Sequence, residues 1–247
     1  TSSETFLELL RSPNICSNRP YTETYDQTVQ GKSILLRDQT EAVSFAPLRD
    51  FSDLSSEEQE LKGVISVTGS ARIGLVSPRS QGKQAVLQSV LKVSASGGVP
   101  LALTDCLNYG NPEVPEQMWE LSEGMEGIGE MARSLQLAFV GGNVSLYNVS
   151  PNGSVSPSAI IACVGKIPEN TIPRPNGFQK KGSSILVLGE RSGNLGGSEF
   201  LRLQGFEGKD LPEYSGEKAA ALLEVLHSSG NRFLSVAVIE EGGLALT

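Results

Sequence analysis

Residues 140–148 read VGGNVSLYN, and the fold follows from what this stretch must be. Val144 and Leu146 alternate with small polar residues, the two-residue period of a strand. Two glycines lead it, and glycine within a strand marks either a bulge or a place where something comes close to the backbone. Immediately upstream, residues 116–136 place Met118, Leu121, Ile128, Met131 and Leu135 at helical spacing, with Pro115 ahead and Glu116 in the first turn, where an acid is favoured. Before that, residues 99–110, VPLALTDCLNYG, form a largely apolar run such as a buried sheet strand would show. Strand, helix and strand make a β–α–β unit, which predicts that the two strands lie side by side or nearly so.

Residues 80–98 place Val86, Val90 and Val93 with Leu87 and Leu91 on one face of an amphipathic helix ended by Gly97-Gly98. Short strands are predicted in KSILLR, AVSFA, GVISVTG and ARIGLVS between residues 32 and 77, and DFSDLSSEEQELKG (50–63) is an exposed loop or short helix. SETFLELL (3–10) is a short helix. Downstream, SPNGS is a hairpin turn with Asn152-Gly153 at its tip, and SPSAIIACVGKI (156–167) is another strand. Three prolines in PENTIPRP mark a boundary near 168–177. Beyond it SSILVLGE opens a new sheet, GNLGGSEFLRLQG is a glycine-rich loop entering a helix, His227 lies in the last turn of a further helix, and FLSVAVIEEGGLALT is a strand with a glycine turn. The expected organisation is a lead-in over 1–30, an α/β domain over 31–167, and over 178–247 a second α/β domain that looks cut short.

The chain has 247 residues and a formal net charge of −8, from 20 basic and 28 acidic side chains. The basic residues are scattered, which argues against nucleic acid or an anionic membrane as a partner. Cys16, Cys106 and Cys163 form no paired spacing, against both a disulfide framework and a zinc site. No apolar run reaches the roughly 18 residues of a membrane span, so the cytoplasm is the expected location. A single histidine leaves almost no material for a Ser–His–Asp or Cys–His centre, and no catalytic residue is assigned.

If the two predicted strands are neighbours, TDCLNYGNPE and GGNVSLYN meet at one end of the sheet. Asp105 could then accept hydrogen bonds or face a cation. Gly142 could let a phosphate or base reach the backbone, Asn143 offers a hard oxygen suited to magnesium, and Ser145, on the same face as Asn143, could donate to a phosphate. The plainer alternative is that Gly141-Gly142 is a bulge and that Asn108, Asn111 and Asn143 serve turn backbones. In GNLGGSE, glycines opening a helix could likewise expose N–H groups to an anion, or simply connect two elements.

ALTDCLNYGNPE, a helix, GGNVSLYN and GKIP together closely resemble the second half of the phosphoribosylformylglycinamidine synthase family, in the aminoimidazole ribonucleotide synthetase-like superfamily. LGGSEFLR and EEGGLAL are similar to motifs of that family's following domain. The resemblance implies an α/β (α+β) fold whose N-terminal domain forms half of a β-barrel, followed by a truncated C-terminal α/β domain. It implies an ATP-dependent ligase of purine biosynthesis that converts formylglycinamide ribonucleotide to the amidine, with ammonia from a glutaminase unit. It places Asp105 and Gly142 against ATP, Asn143 on Mg2+ and Ser145 on the substrate. The family's catalytic histidines and most metal-binding carboxylates belong to the first half of the synthase, so this chain is expected to need that half for turnover.

Two departures stand out. Ser77-Pro78 replaces the family's Asp-Pro pair, and Ala237-Val238 replaces its His-Asp pair. They keep open a second reading, a non-catalytic scaffold of the same superfamily that dimerises through the barrel domain or holds a structural nucleotide. A small-molecule kinase or selenophosphate synthetase relative would show an acidic metal cluster near the N-terminus, and the sequence has none.

Overall fold

The computed structural model describes residues 2–36, 38–206 and 208–247. Helices α1 (Ser2–Arg11) and α2 (Arg19–Thr22) precede strands β1 (Ser33–Leu35) and β2 (Val43–Phe45), and the one-turn helix α3 (Ser56–Gln59) leads into β3 (Lys62–Thr68). Helices α4 (Ala71–Val76) and α5 (Pro78–Ala95) follow, then β4 (Val99–Asn108), α6 (Pro115–Ser134) and β5 (Ala138–Ser145). A small hairpin, β6 (Val149–Ser150) and β7 (Gly153–Ser154), leads to the long β8 (Ser158–Ile167), and α7 (Glu199–Leu203) and α8 (Gly216–Ser228) complete the described elements.

Six strands form one open sheet in the order β1-β2-β3-β8-β4-β5. Every pairing is antiparallel except β4 with β5, which is parallel as the β–α–β reading requires. Helix α5 packs on β3, β4 and β8 and against α6, so one face of the sheet is covered. The core there includes Val64, Val86, Val90, Val93, Leu103, Leu107, Ile161 and Cys163. The other face is open and apolar: Val67 is 61% exposed, and Ile160 and Val164 also reach solvent. The sheet is therefore a half-open surface, with no closed barrel among the described residues. Strand β4 accordingly departs from the fully buried strand expected of its composition, because Val99 and Leu101 lie exposed.

Helix termini follow local chemistry. Ser77 caps α5, its hydroxyl accepting from Ser80 N–H at 3.2 Å, with Pro78 in the first turn, where the missing N–H costs nothing. At the other end Gly97 adopts φ +93 and Gly98 N–H donates to Val93 O at 3.0 Å, a glycine-closed terminus. Helix α6 closes in the same way through a non-glycine residue, Gln136 at φ +56, with Leu137 N–H donating to Ala132 O at 3.0 Å.

The two long helices meet backbone to backbone. A methyl at Gly82 would collide with Gly124 O and lie 2.9 Å from Ile128 N, and one at Gly127 would collide with Arg79 O. Helix α5 is also less amphipathic than its valines suggest, since Gln81, Gln84, Ser89 and Ser94 are buried with them. Gln81 shows why a polar residue is tolerated: its Nε2 donates to Ala159 O at 2.7 Å while its Oε1 accepts from Ala159 N–H at 3.0 Å. The side-chain amide takes the place of a strand neighbour at the start of β8.

Several expectations are corrected. ARIGLVS is helix α4, not a strand, with Ile73 and Gly74 inward and Gly74 packed on the Pro157 carbonyl. Its short apolar alternation fits either structure, and packing decided. SSILVLGE and FLSVAVIEEGGLALT form no strand among the described residues. Their composition suits a sheet, but no described segment pairs with them, and Ile185 and Leu186 are exposed. KSILLR yields β1, its Arg37 lying outside the described residues. Pro151 and Asn152 form the hairpin loop, with Gly153 already paired to Ser150, one position off the expected tip. His227 lies in the last turn of α8, as expected, and burial of its ring lowers its pKa, with the Gly98 backbone opposing and Arg174 reinforcing.

The lead-in is anchored. Asn14 Nδ2 donates to Glu199 Oε2 at 3.0 Å, and Ser12 and Arg202 also reach this fully buried carboxylate. No helix among the described residues is long and apolar enough to cross a membrane. Gly82→Ala is expected to destabilise the fold by about 1–3 kcal/mol in urea denaturation, because two backbones must part. Gly141→Ala, with nothing within 4 Å of the added carbon, serves as a control and should change stability by about 0.5 kcal/mol or less.

Candidate functional site

The parallel β4–β5 ladder brings the singled-out residues together. Asp105 pairs with Gly142, Cys106 with Asn143, and Asn108 with Ser145. All lie toward the C-terminal ends of adjacent parallel strands, where ligands of α/β sheets are commonly received. They are strand residues, and the loops that follow the two strands begin only after Asn108 and Ser145.

A register irregularity between Leu103 and Thr104 leaves Val140 as an extra residue in β5, so a bulge does precede the glycines. The two glycines then differ. Nothing surrounds Gly141, whereas a methyl on Gly142 would lie within 2.6 Å of both Asp105 Cγ and Oδ2. Gly142 thus makes room for the Asp105 carboxylate, and its backbone stays exposed. Burial pushes the Asp105 pKa up, and a hydrogen bond from Asn143 N–H only partly opposes it.

Strand alternation sorts the site onto two faces. Asp105 lies in phase with the core residues Leu103 and Leu107, hence toward the helices with Gly142, while Asn143 and Ser145 face the open side of the sheet. Because β5 is an edge strand, both pairs are reached from the same rim.

The asparagines also divide. Asn108 Nδ2 donates to Cys106 O at 3.2 Å, and Asn111 Oδ1 accepts from Glu113 N–H at 2.9 Å, so these two serve the backbone. Asn143 is exposed, and among the described residues its side chain makes no hydrogen bond. Ser145 Oγ donates to Asn148 Oδ1 at 3.1 Å. Asn148 sits inside the quoted motif, but its role was not legible there: its side chain turns back on Ser145 of the same motif and reaches Tyr109 O, just past the end of β4, a contact that exists only once the two strands are paired. Tyr109 is buried beneath the site, its hydroxyl against Gly124, and burial together with Glu120 pushes its pKa up to about 12. The GNLGGSE loop lies away from this rim, entering α7 near Ile73 and Leu211.

An α/β sheet with one helix-covered face, one open apolar face and a polar rim on a parallel strand pair defines the class, and residues 60–167 match the family described as AIR synthase related protein, N-terminal domain. Over 98% of its length the chain is 35% identical to the phosphoribosylformylglycinamidine synthase subunit PurL of Methanothrix thermoacetophila and 32% identical to that of a Parafrankia species, covering 32% and 30% of those proteins. It thus spans about a third of these curated relatives. Among solved structures, PurLQS from Thermotoga maritima superposes with a TM-score of 0.55 at 25% identity, over 65% of this chain and 26% of that one. T. maritima PurL complexed with AMPPCP superposes with a TM-score of 0.53 at 25% identity, over the same shares.

Gly142→Ala should drive the Asp105 carboxylate out toward solvent. Its pKa, followed by carboxyl-carbon NMR titration, is expected to fall back toward the ordinary value of about 3.9. An unchanged titration would show that the strand shifts and the carboxylate stays.

Proposed function

We propose that this chain is the part of a PurL-type synthase that carries the second AIR synthase-like unit, and that it supplies one side of a composite site for magnesium, ATP and formylglycinamide ribonucleotide. The observation that carries the reading is the rim of β4 and β5, where a desolvated acid, an open glycine backbone, an unengaged amide oxygen and a serine hydroxyl stand on adjacent parallel strands. Asp105 and Gly142 meet the nucleotide, Asn143 the metal and Ser145 the ribonucleotide. The organisation is a lead-in over 1–30, this unit over 31–167 and part of a second domain over 178–247, in a cytoplasmic enzyme.

The residues present fit such a ligand set in part. Asp105 and Asn143 are hard oxygen donors of the kind magnesium takes, and magnesium commonly combines one or two protein oxygens with phosphates and water. Among the described residues no cluster of three or more His, Cys, Asp or Glu could hold a metal by itself. The remaining ligands and the catalytic histidines fall to the first half of the synthase, and ammonia to a glutaminase partner. ATP supplies the activation of the substrate amide oxygen as a phosphate leaving group, which ammonia displaces to give the amidine. This chain's own residues bind and orient: Gly142 leaves the backbone N–H region clear, and Asp105 faces a cation whose charge offsets the cost of its burial.

The open apolar face carrying Val67, Ile160 and Val164 is the surface for the first-half counterpart. It also keeps the scaffold reading in play, since the same face could join two copies of this chain into a homodimeric barrel.

Mixed with the first half of a PurL-type synthase, the chain should restore ATP-dependent amidine formation, and Asn143→Ala should raise the magnesium concentration required by about tenfold or more. An Asn143→Ala enzyme with an unaltered magnesium requirement would favour the scaffold. Ile160→Glu with Val164→Glu is expected to abolish co-elution with the first half while shifting the chain's own stability by about 0.5 kcal/mol or less. Retained co-elution would remove the open face from the interface.

A further inference from the structure

We infer that Asn148 is a positioning residue that commits the Ser145 proton, so that Ser145 offers its ligand an acceptor and receives an N–H or O–H group of the substrate, not a phosphate oxygen. The inference rests on the reading of Ser145 as a substrate contact and narrows what it contacts.

A count of donors and acceptors carries it. Asn148 Nδ2 lies 2.9 Å from Tyr109 O and 2.9 Å from Ser145 O. Carbonyl oxygens only accept, so the amide nitrogen must face both, and both of its protons are used. The orientation of the amide is thereby fixed, and its oxygen, which cannot donate, is the atom 3.1 Å from Ser145 Oγ. The single hydroxyl proton of Ser145 must point at it. What Ser145 has left is acceptor capacity. A phosphate oxygen would meet lone pairs there, whereas ribose hydroxyls and amide N–H groups meet a partner.

The turn that presents Asn148 is held from both sides. Tyr147 adopts φ +59, uncommon for a bulky residue. Its N–H donates to Gly110 O at 2.8 Å, its hydroxyl to Glu113 Oε1 at 3.3 Å, and Asn148 N–H to Tyr109 O at 3.3 Å. Tyr109 N–H returns a bond to Ser145 O at 3.0 Å. Surroundings that over-determine a strained residue are a feature of positions built for a ligand.

The test uses the chain assembled with its first-half counterpart, titrated calorimetrically with formylglycinamide ribonucleotide, with the corresponding phosphate-free riboside, and separately with magnesium and ATP. Ser145→Ala is expected to weaken ribonucleotide binding by up to about tenfold, the loss of one hydrogen bond. Asn148→Ala should weaken it by a similar factor, and the double variant by no more than Ser145→Ala alone, because Asn148 acts through Ser145. Ser145→Thr, which keeps the hydroxyl, should bind like the parent, and magnesium–ATP affinity should not move in any of them.

The riboside should suffer the same Ser145→Ala penalty. If that penalty vanishes with the phosphate, Ser145 contacts the phosphate and the proposal is overturned. Losses that multiply in the double variant, or an Asn148→Ala protein that loses ATP and ribonucleotide together, would likewise overturn it. Should Asn148→Ala fail to fold, Asn148→Ser, too short to reach Ser145 but still polar, takes its place in the cycle. If Ser145→Ala leaves ribonucleotide binding unchanged while Asn143→Ala still weakens magnesium–nucleotide binding, the placement of Ser145 on the substrate falls and this proposal falls with it.

Discussion

The contact between the backbones of α5 and α6 is the constraint from which the rest follows. Gly82 and Gly127 remove the side chains that would hold these helices apart, and each faces main-chain atoms of the opposite helix. Helix α6 is also the connection between β4 and β5. Seated this closely against α5, it fixes the depth at which the chain leaves one strand and the point at which it re-enters the sheet. The parallel register that sets Asp105 opposite Gly142 is a consequence of that seating.

Buried polar groups then act as fasteners where regular structure stops. Gln81 stands in for a missing strand neighbour on Ala159. Arg174, 4% exposed, has no carboxylate partner among the described residues and instead donates to Ser94 O at 3.3 Å, Leu226 O at 3.0 Å and Gly230 O at 2.8 Å. These are carbonyls at the negative ends of α5 and α8, which favour a cation, although burial still lowers the guanidinium pKa. Glu199 does the same work with the opposite sign. Burial opposes its charge, but bonds from Arg202, Ser12 and Asn14 outweigh burial and hold its pKa at about 2. The Glu199 cluster ties the segment before the sheet to α7, and α8 packs on the core through Leu223, with Ala219 and Leu226 buried, as well as through Arg174.

At the rim, each side chain has a different degree of freedom left. Asn108 and Asn111 are spent on the backbone, Asn143 is unspent, and Ser145 has spent its proton but not its lone pairs. The result is a surface that presents the Asn143 amide, both donor and acceptor, the lone pairs of Ser145 and the desolvated carboxylate of Asp105.

By itself the sequence determined the β–α–β unit, because a helical period of 20 residues between two strand-like runs leaves few arrangements, and it marked the start of α6 at Pro115 and the end of the preceding helix at Gly97, residues that favour those positions. It also singled out Asp105, Gly142, Asn143 and Ser145 as polar or glycine positions out of place in an apolar strand. Only the tertiary structure decided that ARIGLVS is helical, since a six-residue apolar alternation has no preference until Gly74 meets Pro157. Only it separated Gly142, pressed by a carboxylate, from Gly141, pressed by nothing, and the asparagines in use from Asn143, whose side chain makes no hydrogen bond among the described residues. The strand-like runs near 183–190 and 233–247 remained unpaired for the same reason: a strand is a property of two segments, and local sequence specifies only one of them.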